Sequence, residues 1–206
     1  MNLRFCALFA VWLWVCAAPS AALGQTEKTA SPAKGNLMYV QLTTSQGDII
    51  LELDQVAAPE TTANFLQYVQ NGHYEGTIFH RVIPGFMIQG GGMDADLNER
   101  PTRPPIKNEA QNGLTNDLYT VAMARTGEPH SATAQFFINT NKNDFLNFTE
   151  VSAKGWGYAV FGRVVKGQEV VDAIEKMPTT DKSYYQDVPE TSVVIEKAEV
   201  LTEYNP

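Results

Sequence analysis

The chain has 206 residues and a formal net charge of −8, with 15 Lys and Arg against 23 Asp and Glu. An acidic chain without a basic cluster is a poor partner for nucleic acid or for an anionic membrane surface, because binding to both depends on positive charge. The composition therefore argues against these two classes of partner and is otherwise that of an ordinary globular protein.

The first 24 residues predict a secretory signal peptide. A short positive start at Arg4 is followed by the apolar run FCALFAVWLWVC and by small residues that suit cleavage after Gly24. The run is shorter than the roughly 18 apolar residues that a membrane span needs. A retained membrane anchor is one alternative, and a lipoprotein modified at Cys16 is another.

Cleavage at this point leaves a mature chain of one domain. Residues 25–36 are polar and aperiodic, so we expect a flexible N-terminal segment there. We expect the folded domain to span residues 37–206, which is long enough to bury a sizeable core. Both cysteines, Cys6 and Cys16, lie in the signal, and the mature chain can therefore form no disulfide.

Alternating apolar residues predict short strands in much of this domain. LMYVQLTT at 37–44 and GDIILELD at 47–54 are rich in β-forming residues and are separated by a turn, which is typical of a hairpin. Further strands are predicted at 78–83, 86–89, 119–124, 135–139, 158–165 and 191–201.

Two helices interrupt the strands. Pro59 suits the first turn of one helix, and Gly72 suits the position just after its end. The segment GQEVVDAIEKM, residues 167–177, predicts the second helix. Two helices and about eight strands in a hairpin-rich order predict a mainly β fold, a closed antiparallel barrel capped at its ends.

Residues 90–117 break this pattern, because they are rich in Gly, Pro, Asn and Asp and have no clear period. A structureless segment of this length in a compact domain is usually functional or disordered. We expect it to form the wall of a groove. Strand content hidden by weak patterning is the alternative.

The usual catalytic motifs are missing. The three histidines lack the spacing of metal ligands, so no metal site is predicted. The run GGGM lacks the lysine and hydroxyl of a phosphate loop, and no serine lies in a nucleophile elbow. The dispersed carboxylates leave a glycosidase open without favouring one. No cofactor is predicted.

A polar residue within an apolar run is the strongest remaining signal. Strand alternation places Arg81 on the same side as Met87 and Gln89, and it places Gln135 on the same side as Phe137. A groove lined in this way would bind an apolar ring and hydrogen-bond the amides beside it. The alternative is an ordinary barrel strand whose Arg81 extends to water.

Four motifs, in this order, resemble the cyclophilin family of peptidyl-prolyl cis–trans isomerases, above all its bacterial branch: FHRVIPGFMIQGGG, AMARTGEPHSATAQFFIN, NDFLNF and GWGYAVFGRVVKGQEVVDAI. The resemblance covers residue 37 to the C-terminus. It implies a closed eight-stranded antiparallel β-barrel capped by two α-helices. It also implies a non-covalent isomerase of X–Pro bonds that uses no cofactor.

The resemblance implies the site residues as well. It assigns the catalytic donor to Arg81 and its polar partners to Gln89 and Gln135. The implied substrate-binding residues are Phe86, Met87, Ala124, Arg125, Phe137, Phe145, Leu146 and Tyr158. Phe145 and Tyr158 stand where many eukaryotic members have Trp and His, which leaves cyclosporin binding open.

One further departure concerns the backbone. Tyr119 occupies a position where relatives often have glycine. We expect a local change of the loop there and no loss of chemistry.

Signal and motifs together predict a periplasmic enzyme that assists the folding of exported proteins. Its partners would be proline-containing segments of those proteins, and a monomer is expected. The alternative is a chaperone or assembly module that binds proline peptides, with incidental isomerase activity. A barrel of another kind, such as a carbohydrate binder, is a third possibility.

Overall fold

The structure is a computed structural model that describes residues 37–204. The predicted signal peptide and the predicted segment 25–36 lie outside these residues. The described part contains ten strands: β1 (Leu37–Thr44), β2 (Gly47–Asp54), β3 (Thr77–Ile83), β4 (Met87–Asp94), β5 (Thr120–Met123), β6 (Phe136–Asn139), β7 (Val160–Lys166), β8 (Thr179–Lys182), β9 (Tyr185–Pro189) and β10 (Val194–Leu201).

Eight of these strands form a closed barrel in the order β1-β10-β3-β4-β6-β5-β7-β2, and neighbouring strands are antiparallel. The predicted mainly β barrel with two helices is confirmed. The hairpin of β1 and β2 is paired residue by residue, from Leu37 opposite Asp54 to Thr44 opposite Gly47. Val40 and Leu42 on β1 are fully buried, as alternation requires of a strand that faces the core on one side.

The two helices are α1 (Pro59–Gln70) and α2 (Gln168–Glu175). Phe65 of α1 is fully buried, and its ring centroid lies 5.4 Å from that of Phe136 and 5.1 Å from that of Phe161. Val171 and Ile174 of α2 are buried in the same core. Neither helix in residues 37–204 is long and apolar enough to cross a membrane.

The prediction of an irregular segment from residue 90 is wrong at its start, where the alternative of hidden strand content is the one found. β4 continues through all three glycines to Asp94, whereas a strand was predicted only at 86–89. The glycines provide close packing. Gly91 has a positive φ of 83°, and a Cβ atom there would lie 2.7 Å from the Tyr74 ring. A short 3-10 helix, Ala110–Asn112, is the other regular element of this segment.

Tyr119 has a φ of 64°, in the left-handed region that glycine favours. The positive φ accounts for the glycine that the resemblance implies at this position. The Tyr119 hydroxyl donates to Oδ1 of Asp172 in α2 at 3.0 Å, so the side chain ties the entrance of β5 to this helix.

The sequence did not predict the hairpin of β8 and β9. It forms a separate two-stranded sheet, and β9 packs along β3 of the barrel. Its turn, Ser183–Tyr184, contains no glycine, and Ser183 itself has a φ of 56°. The hairpin lacked a turn signal because a non-glycine residue occupies the left-handed position.

Candidate active site

The candidate site is built on four neighbouring strands, β3, β4, β6 and β5. Arg81 pairs with Gln89, Gln89 pairs with Phe137, and Phe137 pairs with Ala122. Residues directly opposite on antiparallel strands present their side chains to the same face. The ladder therefore aligns a charged, an amide and an aromatic side chain in one row across the sheet.

This row lies on the face that points away from the main core. Phe136 and Ile138 belong to the main core, whereas Phe137 belongs to a second apolar cluster with Met87 and Leu146. The alternation that the sequence predicted for Phe137 and its neighbours is thus the alternation found.

A hollow of about 120 Å³ opens above this cluster. An apolar cavity of about 150 Å³ is enough to hold a benzene ring, so the hollow is of the right size for a five-membered ring. Nine side chains line it, and the resemblance implied every one: Arg81, Phe86, Met87, Gln89, Ala124, Arg125, Phe137, Leu146 and Tyr158. The geometry brings these residues together, and their individual roles stay predictions.

Phe86 lies in the turn between β3 and β4, where its amide donates to the Ile83 carbonyl at 3.1 Å. Strict alternation would place Phe86 on the opposite side of the sheet from Met87 and Gln89. The turn releases Phe86 from this alternation, which explains why it lines the hollow with them. Phe145 stacks on Phe86 with ring centroids 5.5 Å apart, and it is 73% exposed. It therefore lies at the rim and does not line the hollow.

Gln135 lies in an adjoining hollow of about 140 Å³, which shares Gln89, Ala124 and Arg125 with the first. Nε2 of Gln89 donates to Oε1 of Gln135 at 2.8 Å. A Cβ atom at Gly92 would collide with the Gln135 side chain, so the third glycine of β4 leaves room for this pair. Together the two hollows form a groove suited to an extended peptide.

Arg125 is fixed on the far wall of the groove. Its Nε donates to the Gly157 carbonyl at 2.9 Å, and its guanidinium carbon lies 4.5 Å from the centroid of the Tyr158 ring. The Ala124 amide donates to the Gln135 carbonyl at 2.9 Å. A peptide that paired with this edge would therefore use other backbone groups of the segment, such as the Ala124 carbonyl.

Arg81 lines the hollow and also contacts solvent, with 43% of its side chain exposed. Its Nε lies 3.8 Å from Oδ2 of Asp187, whose side chain is 41% exposed. This distance is too long for a hydrogen bond. A buried carboxylate that sequestered the guanidinium would argue against a donor role, and this half-exposed ion pair does not have that character.

Three buried asparagines, which the sequence did not predict, support the hollow. Nδ2 of Asn143 donates to the Phe86 carbonyl at 2.8 Å and to Oδ1 of Asn139 at 2.7 Å. Nδ2 of Asn139 reaches Oδ1 of Asn116 at 3.2 Å, and Asn116 reaches the Leu146 carbonyl at 3.3 Å. The network fixes the backbone of two hollow residues. Its only signal in the sequence is the asparagine-rich run NTNKNDFLN.

His80 lies directly before Arg81 and is only 5% exposed. Burial lowers the pKa of His80 to about 4, and the charge of Arg81 acts in the same direction. The imidazole is therefore neutral at physiological pH and adds no second charge beside the guanidinium.

Comparison with known proteins identifies the family. Residues 39–200 match the model described as cyclophilin type peptidyl-prolyl cis-trans isomerase/CLD. The chain belongs to this family. It is accordingly a peptidyl-prolyl cis–trans isomerase, and the implied activity is confirmed at this level.

Two curated relatives are bacterial. The chain is 61% identical over 162 residues to peptidyl-prolyl cis-trans isomerase cyp18 of Streptomyces antibioticus. The matched region covers 79% of this chain and 98% of the relative. It is 55% identical over 157 residues to peptidyl-prolyl cis-trans isomerase B of Escherichia coli strain K12, which is 76% of this chain and 96% of the relative.

Among solved structures, a cyclophilin type isomerase of Cryptosporidium parvum, crystallised in the presence of the dipeptide Ala-Pro, has a similar fold. The TM-score is 0.65 at 27% sequence identity, over 80% of this chain and 99% of that chain.

Proposed function

We propose that this isomerase acts on X–Pro bonds of exported proteins, with Arg81 as the donor that stabilises the half-rotated amide. The observation that carries the proposal is the position of a guanidinium beside an apolar hollow of the size of a proline ring. The Cryptosporidium relative that was crystallised with Ala-Pro supports a proline-containing ligand for this hollow.

The reaction itself explains why no nucleophile or acid–base pair is needed. Rotation about a peptide C–N bond crosses a barrier of about 18–20 kcal/mol because the bond has partial double-bond character. Uncatalysed X–Pro isomerisation takes tens to hundreds of seconds. No covalent bond breaks, so the enzyme has only to stabilise the twisted amide relative to its two planar forms.

Arg81 supplies a hydrogen-bond donor, and the nitrogen of the twisted amide is a better acceptor for it than the nitrogen of the planar amide. Loss of resonance returns a lone pair to the prolyl nitrogen, and a guanidinium N–H aimed at this atom stabilises the twisted form selectively. Arginine suits this role better than lysine because its planar fork presents several donors and keeps its charge.

One donor does not account for the whole effect. An acceleration of about 10⁵ requires about 7 kcal/mol, whereas one preorganised donor contributes about 3–4 kcal/mol. The remainder is assigned to the apolar walls, Met87, Phe137 and Leu146, which clamp the ring and exclude water while the preceding carbonyl rotates. Gln89 and Gln135 would bind the moving carbonyl and the peptide backbone.

The exported location rests on the sequence. The first 24 residues have the three parts of a secretory signal, and the described motifs are of the bacterial type. We therefore propose a periplasmic monomer whose clients are exported chains with slow X–Pro bonds. Expression of the full chain in a Gram-negative host tests this, with recovery of a product that begins at Gln25 in the periplasmic fraction as the expected result. An uncleaved, cytoplasmic product would contradict it.

Replacement of Arg81 by Ala tests the catalytic proposal. We expect kcat to fall by about two to three orders of magnitude, because one preorganised donor is lost, while proline-peptide affinity changes little. A protease-coupled isomerisation assay measures turnover, and titration with a proline peptide measures affinity.

Arg163→Ala is the matched control, since Arg163 is another partly exposed arginine that pairs with Glu52 away from the groove. Its kcat should equal that of the wild type. Near-normal turnover of Arg81→Ala would reject the donor role and would favour the interpretation of the groove as a binding module.

A further inference from the structure

The hairpin of β8 and β9 brings one carboxylate to the candidate active site. Asp187 of β9 is the acidic side chain within 4.0 Å of the Arg81 guanidinium in the described residues. We infer that Asp187 is a positioning residue that keeps the guanidinium directed at the hollow. The inference rests on the proposed role of Arg81 and adds the group that orients it.

The backbone of β9 is bent at this residue. Thr180 pairs with Val188 and Lys182 pairs with Tyr185, so Gln186 and Asp187 together oppose only Asp181. This is a β-bulge, a device that redirects a side chain and is frequent beside active sites.

The conformation of Asp187 fits such a bulge. Its φ is 56°, in the left-handed region, where Asp and Asn are among the few tolerated residues other than glycine. The next residue, Val188, is 1% exposed and anchors β9 against the barrel. The carboxylate is thus presented to β3 from a fixed point.

The contact distance leaves Arg81 available to substrate, because 3.8 Å is too long for a hydrogen bond to Asp187. The ion-pair contact joins Oδ2 of Asp187 to Nε, at 3.8 Å, on the side of the guanidinium nearer its own backbone. A carboxylate on the Nε side restricts the rotation of a long side chain that otherwise samples many rotamers. The terminal N–H groups can then point to the hollow.

The same carboxylate also opposes catalysis, because its negative charge weakens the positive potential of the guanidinium. This effect is small here, since both side chains are about two fifths exposed and water screens the pair. We expect the orienting effect to exceed this loss of potential, so removal of the carboxylate should lower turnover and not raise it.

Asp187→Asn is the variant that isolates the charge, because Asn tolerates the same φ and has nearly the same shape. We expect kcat to fall about two- to fivefold, the range that an exposed ion pair supports, with unchanged affinity for a proline peptide. Asp187→Gly, which also accepts a positive φ, should reproduce the loss if Asn perturbs the hairpin. Asp181→Asn is the matched control, since it removes the same charge from the same hairpin at an exposed position.

A double-mutant cycle distinguishes a positioning role, which acts through Arg81, from a merely structural role of Asp187. In an Arg81→Ala background, Asp187→Asn should have no further effect on the residual rate. The ¹H–¹⁵N resonance of the Arg81 Nε–H group should shift in Asp187→Asn and stay in place in Asp181→Asn.

Each of three results would overturn the inference: a normal or raised kcat in Asp187→Asn, an equal loss in the Arg81→Ala background, or an equal loss in Asp181→Asn. A low kcat in Arg81→Ala combined with a normal kcat in Asp187→Asn would refute only the positioning role. Normal turnover in Arg81→Ala would refute the proposed donor itself.

Discussion

Acid should destabilise the fold through one histidine. His80 is 5% exposed, and burial lowers its pKa from 6.5 to about 4. The unfolded chain therefore binds more protons than the folded protein between these two values, so the free energy of unfolding falls as the pH drops through this window. The full effect, reached below pH 4, corresponds to about 3 kcal/mol at about 1.36 kcal/mol per pKa unit.

Most of this loss of unfolding free energy falls in an experimentally accessible pH range. About 2 kcal/mol of it is expected between pH 7.5 and pH 5.0. Urea unfolding of the wild type and of His80→Gln at both pH values measures it, because the titration of the carboxylates is common to both proteins. The variant should lose about 2 kcal/mol less than the wild type over this interval.

An NMR titration of the His80 ring provides an independent measurement. The pKa should lie well below 6.5. A ring that titrates near 6.5, or equal pH dependence of unfolding in the two proteins, would refute the argument from burial.

Two further substitutions probe the groove and its support. Phe137→Ala should weaken proline-peptide binding as well as turnover. It should also lower the unfolding free energy by about 3 kcal/mol, because a side chain that is 4% exposed is lost from the wall of the hollow. Calorimetric titration and urea unfolding test this, and unchanged affinity would contradict it. Tyr119→Phe should lower the unfolding free energy by about 1 kcal/mol, because the hydrogen bond to Asp172 is lost, and should leave kcat unchanged. A large fall in kcat would show that the strained loop affects the chemistry.

The parts of the fold that could be predicted are those with local patterns. The hairpin of β1 and β2 follows from alternation, and α1 follows from Pro59 and Gly72 at its ends. The hollow was predicted because the resemblance supplied its residues, and their alternation on β4 and β6 agrees with it. The positions that the resemblance did not supply, Asp187 among them, were missed.

What could not be predicted depends on contacts between distant segments. The hairpin of β8 and β9 is stable because β9 packs along β3, and its polar sequence carries no sign of this partner. Asn143 and Asn139 are buried amides joined by one hydrogen bond, and Asn143 also donates to the Phe86 carbonyl. The residue type alone does not indicate whether an asparagine is buried or exposed. Pairing across the fold decides these positions, and local propensity does not.

Strict alternation along β3 would place Phe79 and Arg81 on the same face of the sheet, and the structure places them on opposite faces. Phe79 and Arg81 have the same parity, yet Phe79 lies in the main core and Arg81 lines the hollow on the other face. The ladder explains this, because Phe79 pairs with Gly90 while Arg81 pairs with Gln89, so β3 contains one extra residue at His80. This bulge reverses the face on which the following side chains lie.

A second bulge, at Asp187, presents the carboxylate from the neighbouring hairpin, so both members of the ion pair owe their direction to an inserted residue. The bulge on β3 also underlies the acid sensitivity expected from His80. Its extra residue is His80, which is enclosed by the fold and must stay neutral there. The same backbone irregularity that turns Arg81 to the hollow therefore places a titratable ring where protonation opposes folding, so the site and the expected contribution of His80 to the pH dependence of stability share one structural cause.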